Sequence, residues 1–223
     1  MGAFQEHFSI HAASALARQH EFGRLLGERS WGVDIDAGTV TYGDDLTFPI
    51  QLLGTEAYDD STWLWAWANA ESALPPGLLR LVAEIREYGN KHGIDELYDA
   101  SVPLAKVHGH LMSMLCGGIA GGLPYYRGPY EGGALFFLVL ETPPEVTAPL
   151  SPERIPTIAM EVIQTFDVNH RVMVENFLLQ QGYEVDRLQK EIAGIRPDGS
   201  SCLAKFDDQG RLAGIQFELK PRR

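Results

Sequence analysis

Trp63-Leu64-Trp65-Ala66-Trp67-Ala68-Asn69 (WLWAWAN, residues 63–69) is the stretch on which the fold turns. Its three tryptophans fall at every second position, the period at which side chains leave one face of a β-strand. Leu64, Ala66 and Ala68 occupy the other face, so the spacing predicts a strand from Trp63 to Ala68 that is covered on both sides. Three buried rings of about 150–250 Å² each contribute roughly 10–20 kcal/mol gross at ~25 cal/mol/Å². That much apolar surface belongs in a core, with room for one ring, Trp65, to wall a pocket.

Upstream, the same period continues in short segments. Trp31 to Ile35 and Thr39 to Tyr42 flank Asp36-Ala37-Gly38, and Leu46 to Leu53 is joined to the tryptophan strand through Tyr58-Asp59-Asp60-Ser61. These are hairpin signals, and the segment reads as an antiparallel meander. It is preceded by an amphipathic helix over residues 4–26, with Phe4, Phe8, Ala12, Ala15, Phe22 and Leu26 on one stripe. Downstream, Pro75-Pro76 starts a helix with Leu78, Leu81, Val82, Ile85 and Tyr88 inward. A further helix is predicted from Leu104 to Ile119, and Gly117 to Gly122 form a glycine-rich loop leading to Tyr125–Gly133. Ala134 to Glu141 (ALFFLVLE) reads as a central strand. Beyond Pro143-Pro144 and Pro149, a helix begins at Ser151-Pro152-Glu153 and ends at Gly182, a left-handed stop. Val185 to Leu188, Lys190 to Arg196, Ser201 to Phe206 and Arg211 to Leu219 form a second meander.

The expected fold class is therefore α+β, antiparallel meanders with packed helices, in the order helix, meander, helices, strand, helix, meander. The 223 residues fit one domain, with the proline-rich linker 143–152 as the place where two subdomains would part. The two meanders share a topology but no repeated residues.

Composition narrows the function classes. Apolar residues at 45% supply a core and exclude disorder. The net charge of −12 with no basic stripe disfavours nucleic acid. The one basic cluster, Lys220-Pro221-Arg222-Arg223, reads as a solvated tail. No apolar stretch is long and unbroken enough to span a membrane, and the first residues lack a secretion signal. Cys116 and Cys202 read as small buried hydrophobes in a reducing cytoplasm, and two cysteines exclude a cysteine-pair zinc site.

The tryptophan strand, with Trp31-Gly32, the Leu104 to Gly122 helix and loop, Tyr126-Arg127-Gly128-Pro129 and Phe166-Asp167-Val168-Asn169-His170-Arg171, resembles an uncharacterised family of bacterial domains frequent in actinobacteria. The resemblance runs from about Phe22 to Gly182. It implies a cytoplasmic bacterial protein and carries over no functional residue.

Candidate sites rest on residue chemistry. Tyr125, Tyr126, Arg127, Tyr130 and Glu131 combine aromatic faces, one fixed cation and one carboxylate, the chemistry of a pocket rim; as ordinary loop residues they would cover a sheet edge. His11, His108 and His170 lie in or beside apolar stripes of separate helices and, gathered in space, would form a metal set, with His7 able to join. Taken singly, each is a hydrogen-bonded core histidine. Asn169 and His170 offer either acid–base chemistry or a structural clamp. Asp34-Ile35-Asp36-Ala37-Gly38 lacks the later ligands of a calcium loop and reads as a hairpin turn. No serine lies in a nucleophile elbow, and GGIAGG lacks dinucleotide spacing. No catalytic residue and no cofactor is indicated. The chain reads as a non-enzymatic module for a small-molecule ligand or a protein partner. The alternative is a metal- or histidine-dependent hydrolase, and the acidic surface also admits a basic protein as partner.

Overall fold

The computed structural model describes residues 2–218. Lys220-Pro221-Arg222-Arg223 and Leu219, the expected end of the last strand, lie outside the described residues. The fold is α+β with two antiparallel sheets, so the two meanders do not share one. The order of elements is α1 (Ala3–Leu26), β1 (Trp31–Asp34), β2 (Thr39–Tyr42), β3 (Leu46–Ala57), β4 (Thr62–Trp65), α2 (Arg80–His92), α3 (Asp95–Tyr98), β5 (Ser101–Pro103), α4 (Gly109–Ile119), β6 (Tyr125–Tyr130), β7 (Gly133–Val139), α5 (Pro144–Thr147), α6 (Ile155–Thr165), α7 (His170–Gln180), β8 (Glu184–Arg187), β9 (Glu191–Ile195), β10 (Ser201–Phe206) and β11 (Leu212–Glu218). The chain forms two compact units, one of Arg18–Thr147 and one of the residues up to Ala17 with those from Ala148 on.

The Arg18–Thr147 unit holds a seven-stranded sheet. Strands β1 to β5 follow in order, β7 also pairs β3, and β6 pairs β7. Strand β3 is twelve residues long and is the pivot: β2 pairs its first four residues, β4 its last four, and β7 runs along it from Ile50 to Ala57. Gly54 stands opposite both Trp65 and Phe136, where the register slips between Leu52 and Gly54. A Cβ at Gly54 would lie 2.4 Å from the Leu64 carbonyl oxygen and 2.8 Å from Trp63 Cζ2, so only glycine fits under the tryptophan strand.

The tryptophan alternation outlasts its strand. Strand β4 ends at Trp65, and Ala66–Ala68 form a 3₁₀ turn, so Trp67 does not share the face of Trp63 and Trp65. Trp63 and Trp65 are fully buried, their rings edge-to-face at 5.3 Å, whereas Trp67 is only half-buried. Helix α2 follows a 3₁₀ turn over Pro76–Leu79, and Leu78, Leu81, Val82 and Ile85 are buried as its periodicity requires. Its start is held by Gln51 of β3, a buried amide that donates to the Gly77 carbonyl (2.7 Å) and accepts from the Leu81 amide (3.0 Å). Helix α4 begins at Gly109, five residues later than its apolar spacing suggests. Residues 104–108 instead turn back on the Pro103 carbonyl, leaving His108 as the capping residue and His110 in the first turn. Tyr125–Tyr130, expected as loop, is strand β6. The Asp34-to-Gly38 segment is a hairpin turn, closed by Ala37 N on Asp34 Oδ1 at 2.9 Å.

The other unit carries the four-stranded meander β8 to β11 in sequence order, with α6, α7 and the first part of α1. The single helix expected from Ser151 is a 3₁₀ turn at Pro152–Arg154, then α6, then α7, broken at Phe166–Asn169. Asn169 explains the restart: its side-chain oxygen accepts from Val172 N at 3.1 Å as an N-cap, and its own amide donates to Ser9 Oγ at 3.0 Å. His170 Nδ1 accepts the Leu212 amide at 3.1 Å, tying α7 to the start of β11. Gly182 ends α7 with φ +80°.

Candidate functional site

Strand alternation divides the expected rim. On β6, Tyr125 and Arg127 stand opposite Leu138 and Phe136, on the face that α4 covers. Tyr126 points the other way, into an aromatic cluster with Tyr42 (5.0 Å), Trp31 (5.5 Å) and Phe137 (5.7 Å). Gly128 shares that second face, where a Cβ would lie 2.5 Å from the Trp31 ring. Tyr130 is half exposed at the strand end, its ring over Gly133, and Glu131 is exposed in the turn beyond. Trp65 is closed to any ligand: its ring is fully buried, and its Nε1 donates to the Glu96 carbonyl at 3.1 Å.

The residues that do come together centre on Glu56, the only buried acid among the described residues. Its Oε1 accepts the Gly109 amide at 2.8 Å, placing a carboxylate at the start of α4, where the helix dipole favours negative charge. Its Oε2 lies 3.8 Å from Arg127 Nε, and Arg127 also donates to the Tyr58 hydroxyl. Gly109 is glycine for a steric reason: a Cβ would meet Phe136 Cζ at 2.5 Å and Glu56 Oε1 at 2.9 Å. Beside this pair, His110 Nδ1 lies 2.8 Å from the Tyr125 hydroxyl, and its ring packs edge-on against Phe136. Partial desolvation holds the His110 pKa below its ordinary value. His108, 6.0 Å away ring to ring, and Arg127 add to that, and Glu56 opposes it. Burial, with the Glu56 field behind it, pushes the Tyr125 phenol far up. The phenol therefore keeps its proton, and the imidazole tautomer sets which of the two, the phenol or Nδ1, donates in their bond. Gln19 of α1 pins this strand, exchanging two hydrogen bonds with the Tyr125 backbone at 2.8 and 3.0 Å.

A second feature of the same unit is a groove of about 400 Å³ lined by Trp67, Ala83, Arg86, Glu87, Asn90 and Tyr98. The Arg86 guanidinium lies 3.9 Å from the centroid of the Trp67 ring, a cation–π stack. Tyr98 is held by its hydroxyl on Asp95, and α3 itself by the Trp65–Glu96 bond. Arg86, Glu87 and Asn90 lie on the polar side of α2, where periodicity alone reads only a solvated face. The one available signal was Trp67, an aromatic residue at the end of a strand.

Among the described residues, no group of three or more His, Cys, Asp or Glu side chains could hold a metal ion, and His11, His108 and His170 form no such set. His108 is exposed at the cap of α4, His170 is engaged by Leu212, and His11 lies half-buried in α1. Both thiols are buried, and burial raises the pKa of each, that of Cys202 to about 12. Among the described residues no helix is long and apolar enough to cross a membrane.

The fold and the two features define an α+β protein whose long-strand sheet carries a buried carboxylate–arginine pair and, on α2, an aromatic groove. The model of a family of unknown function, DUF6882, matches residues 5–143, more than half of the chain, and the protein belongs to that family. The match takes in strands β1 to β7 and every residue of both features, and ends before α6, short of the Phe166–Arg171 segment. No curated protein and no solved structure matches the chain.

Proposed function

We propose that the protein is a non-enzymatic small-molecule-binding module and that the Trp67 groove is its binding site. The observation that carries this reading is the groove's make-up. Its volume of about 400 Å³ lies in the usual range for ligand sites. Its wall combines two aromatic rings, a stacked guanidinium, a carboxylate and an amide. Such sites are mostly apolar surface with a few convergent polar groups that fix orientation. The resemblance and the two buried free thiols support a bacterial, mainly actinobacterial, cytoplasmic setting for it.

The test is ligand-observed NMR of the full chain with a mixture of small aromatic acids, amines and amides, repeated on Ala83→Trp, which fills the groove from an exposed position. Binders that lose contact in the variant support the reading. Silence of the wild type, or signals unchanged by Ala83→Trp, overturns it.

A second reading, histidine-dependent hydrolysis, draws on the neutral His110 held by Tyr125 beside the Glu56–Arg127 pair. A neutral imidazole is the form a general base needs. Ester hydrolysis abolished by His110→Gln but untouched by Ala83→Trp would favour it over the groove.

A further inference from the structure

We infer that the ligand of the Trp67 groove is a zwitterionic amino acid, bound through its carboxylate to Arg86 and through its ammonium to Glu87. The inference rests on the reading of the groove as the binding site and names what that site selects. The groove carries one charge of each sign, Arg86 and Glu87, on adjacent positions of α2. Adjacent helical residues diverge by roughly 100°, so these two do not neutralise each other across the helix surface. Neither has an ion-pair partner among the described residues, although Arg80, nearly two turns before Arg86, is paired with Glu84.

Arg86 is pre-positioned. With its carbon 3.9 Å over the Trp67 ring, the guanidinium is held by the indole face and has N–H donors left for a carboxylate, which it can bind through two parallel hydrogen bonds. The ammonium of the same ligand falls to Glu87, and Asn90, which both donates and accepts, stands one turn beyond Arg86 on the same side. Ala83, Trp67 and Tyr98 give the groove wall apolar surface for the ligand's side chain. The whole chain adds a selection of its own. At −12 it repels a net anion on approach, whereas a zwitterion carries no net charge and meets no such barrier. A simple cation would satisfy Glu87 and leave Arg86 facing it.

The experiment is isothermal titration calorimetry of the full chain with L-phenylalanine, L-leucine, L-methionine and L-glutamine at millimolar concentration. L-Phenylalanine methyl ester, which lacks the anion, and N-acetyl-L-phenylalanine, which lacks the cation, serve as analogues. At least one free amino acid is expected to bind, with the matching single-charge forms about tenfold weaker or more, as for loss of one charge-assisted hydrogen bond. The variants should pair with the analogues. Arg86→Gln weakens the free amino acid but leaves the methyl ester unchanged, and Glu87→Gln does the same with respect to the N-acetyl form. Both side chains are exposed, so neither variant disturbs the fold. Equal affinity for all forms, lost together in Ala83→Trp, overturns the inference and leaves the groove as a binding site. If no amino acid binds while the NMR mixture still does, the inference alone falls; if both are silent, both fall.

Discussion

Trp65 and Trp67 are two residues apart and chemically identical, yet only Trp65 is fully buried. Trp65 fills the core and donates its indole N–H to Glu96, whereas the Trp67 indole nitrogen has no hydrogen-bond partner to lose. Trp65→Phe leaves a void and takes the indole donor from the part-buried Glu96 carbonyl, and should cost about 2–3 kcal/mol. Trp67→Phe should cost less than about 1 kcal/mol. Urea denaturation of the two variants checks this, and equal losses would place both rings in the core. A second residue-scale consequence concerns acid. His110 and His170 are both held below the ordinary histidine pKa by partial burial, and His170 also accepts a backbone hydrogen bond that protonation would break. Between those lowered values and about 6.5, the unfolded chain binds protons that the folded chain refuses, so stability rises with pH through that window. The urea midpoint should therefore fall between about pH 7.5 and about pH 5.5. In His170→Gln, where the amide oxygen can still accept from Leu212, the fall should be smaller. An unchanged slope in that variant would remove His170 from the account.

At the scale of elements, the end of each helix and strand is decided by backbone partners as much as by apolar spacing. The break between α6 and α7 is held by the Asn169 cap, so Asn169→Ala should cost about 1 kcal/mol and Asn169→Asp much less. Thermal melts of both variants test whether the cap, and not the apolar spacing alone, sets the break. No proline or glycine marks that break in Phe166-Asp167-Val168, which is why a single helix is the natural reading of the sequence. Strands β1, β2, β9 and β10 were legible because period two and turn residues agree at both ends. Strand β5 and helix α3, three and four residues long, are too short to show any period. Leu104, Val107 and Leu111 keep helical spacing across a segment whose backbone turns onto Pro103, so the start of α4 was misplaced and His108 with it. The candidate site was half legible. Tyr125, Arg127 and His108 were visible as chemistry, but the Glu56–Gly109 and His110–Tyr125 pairs depend on contacts between residues 53 and 15 positions apart. Alternation on β6 then separated Tyr126 from Arg127 for the same reason that it united the first two tryptophans.

Across the whole molecule, the family match and the two compact units do not coincide. The match covers Arg18 to Pro143, nearly all of the seven-stranded unit, and of the other unit it takes in only part of α1. Each unit holds one free buried cysteine, Cys116 in the first and Cys202 in the second, and each is a reporter of its own surroundings. In the native protein both thiols should resist a disulfide reagent, because burial raises their pKa and the thiolate is the reactive form. Their exposure in urea should separate. The seven-stranded unit buries Trp63, Trp65, Phe136 and Phe137 completely, whereas the outer strands β8 and β11 of the other unit have no fully buried residue. Regions with fewer buried apolar groups open at lower free energy. Cys202, measured in Cys116→Ser, should therefore become reactive at lower urea than Cys116, measured in Cys202→Ser. The Trp67 groove, followed by loss of the ligands proposed for it as urea rises, should follow Cys116. Coincident midpoints for both thiols would instead make the chain one cooperative unit, and a groove that opened with Cys202 would tie ligand binding to the part of the chain that lies outside the family match.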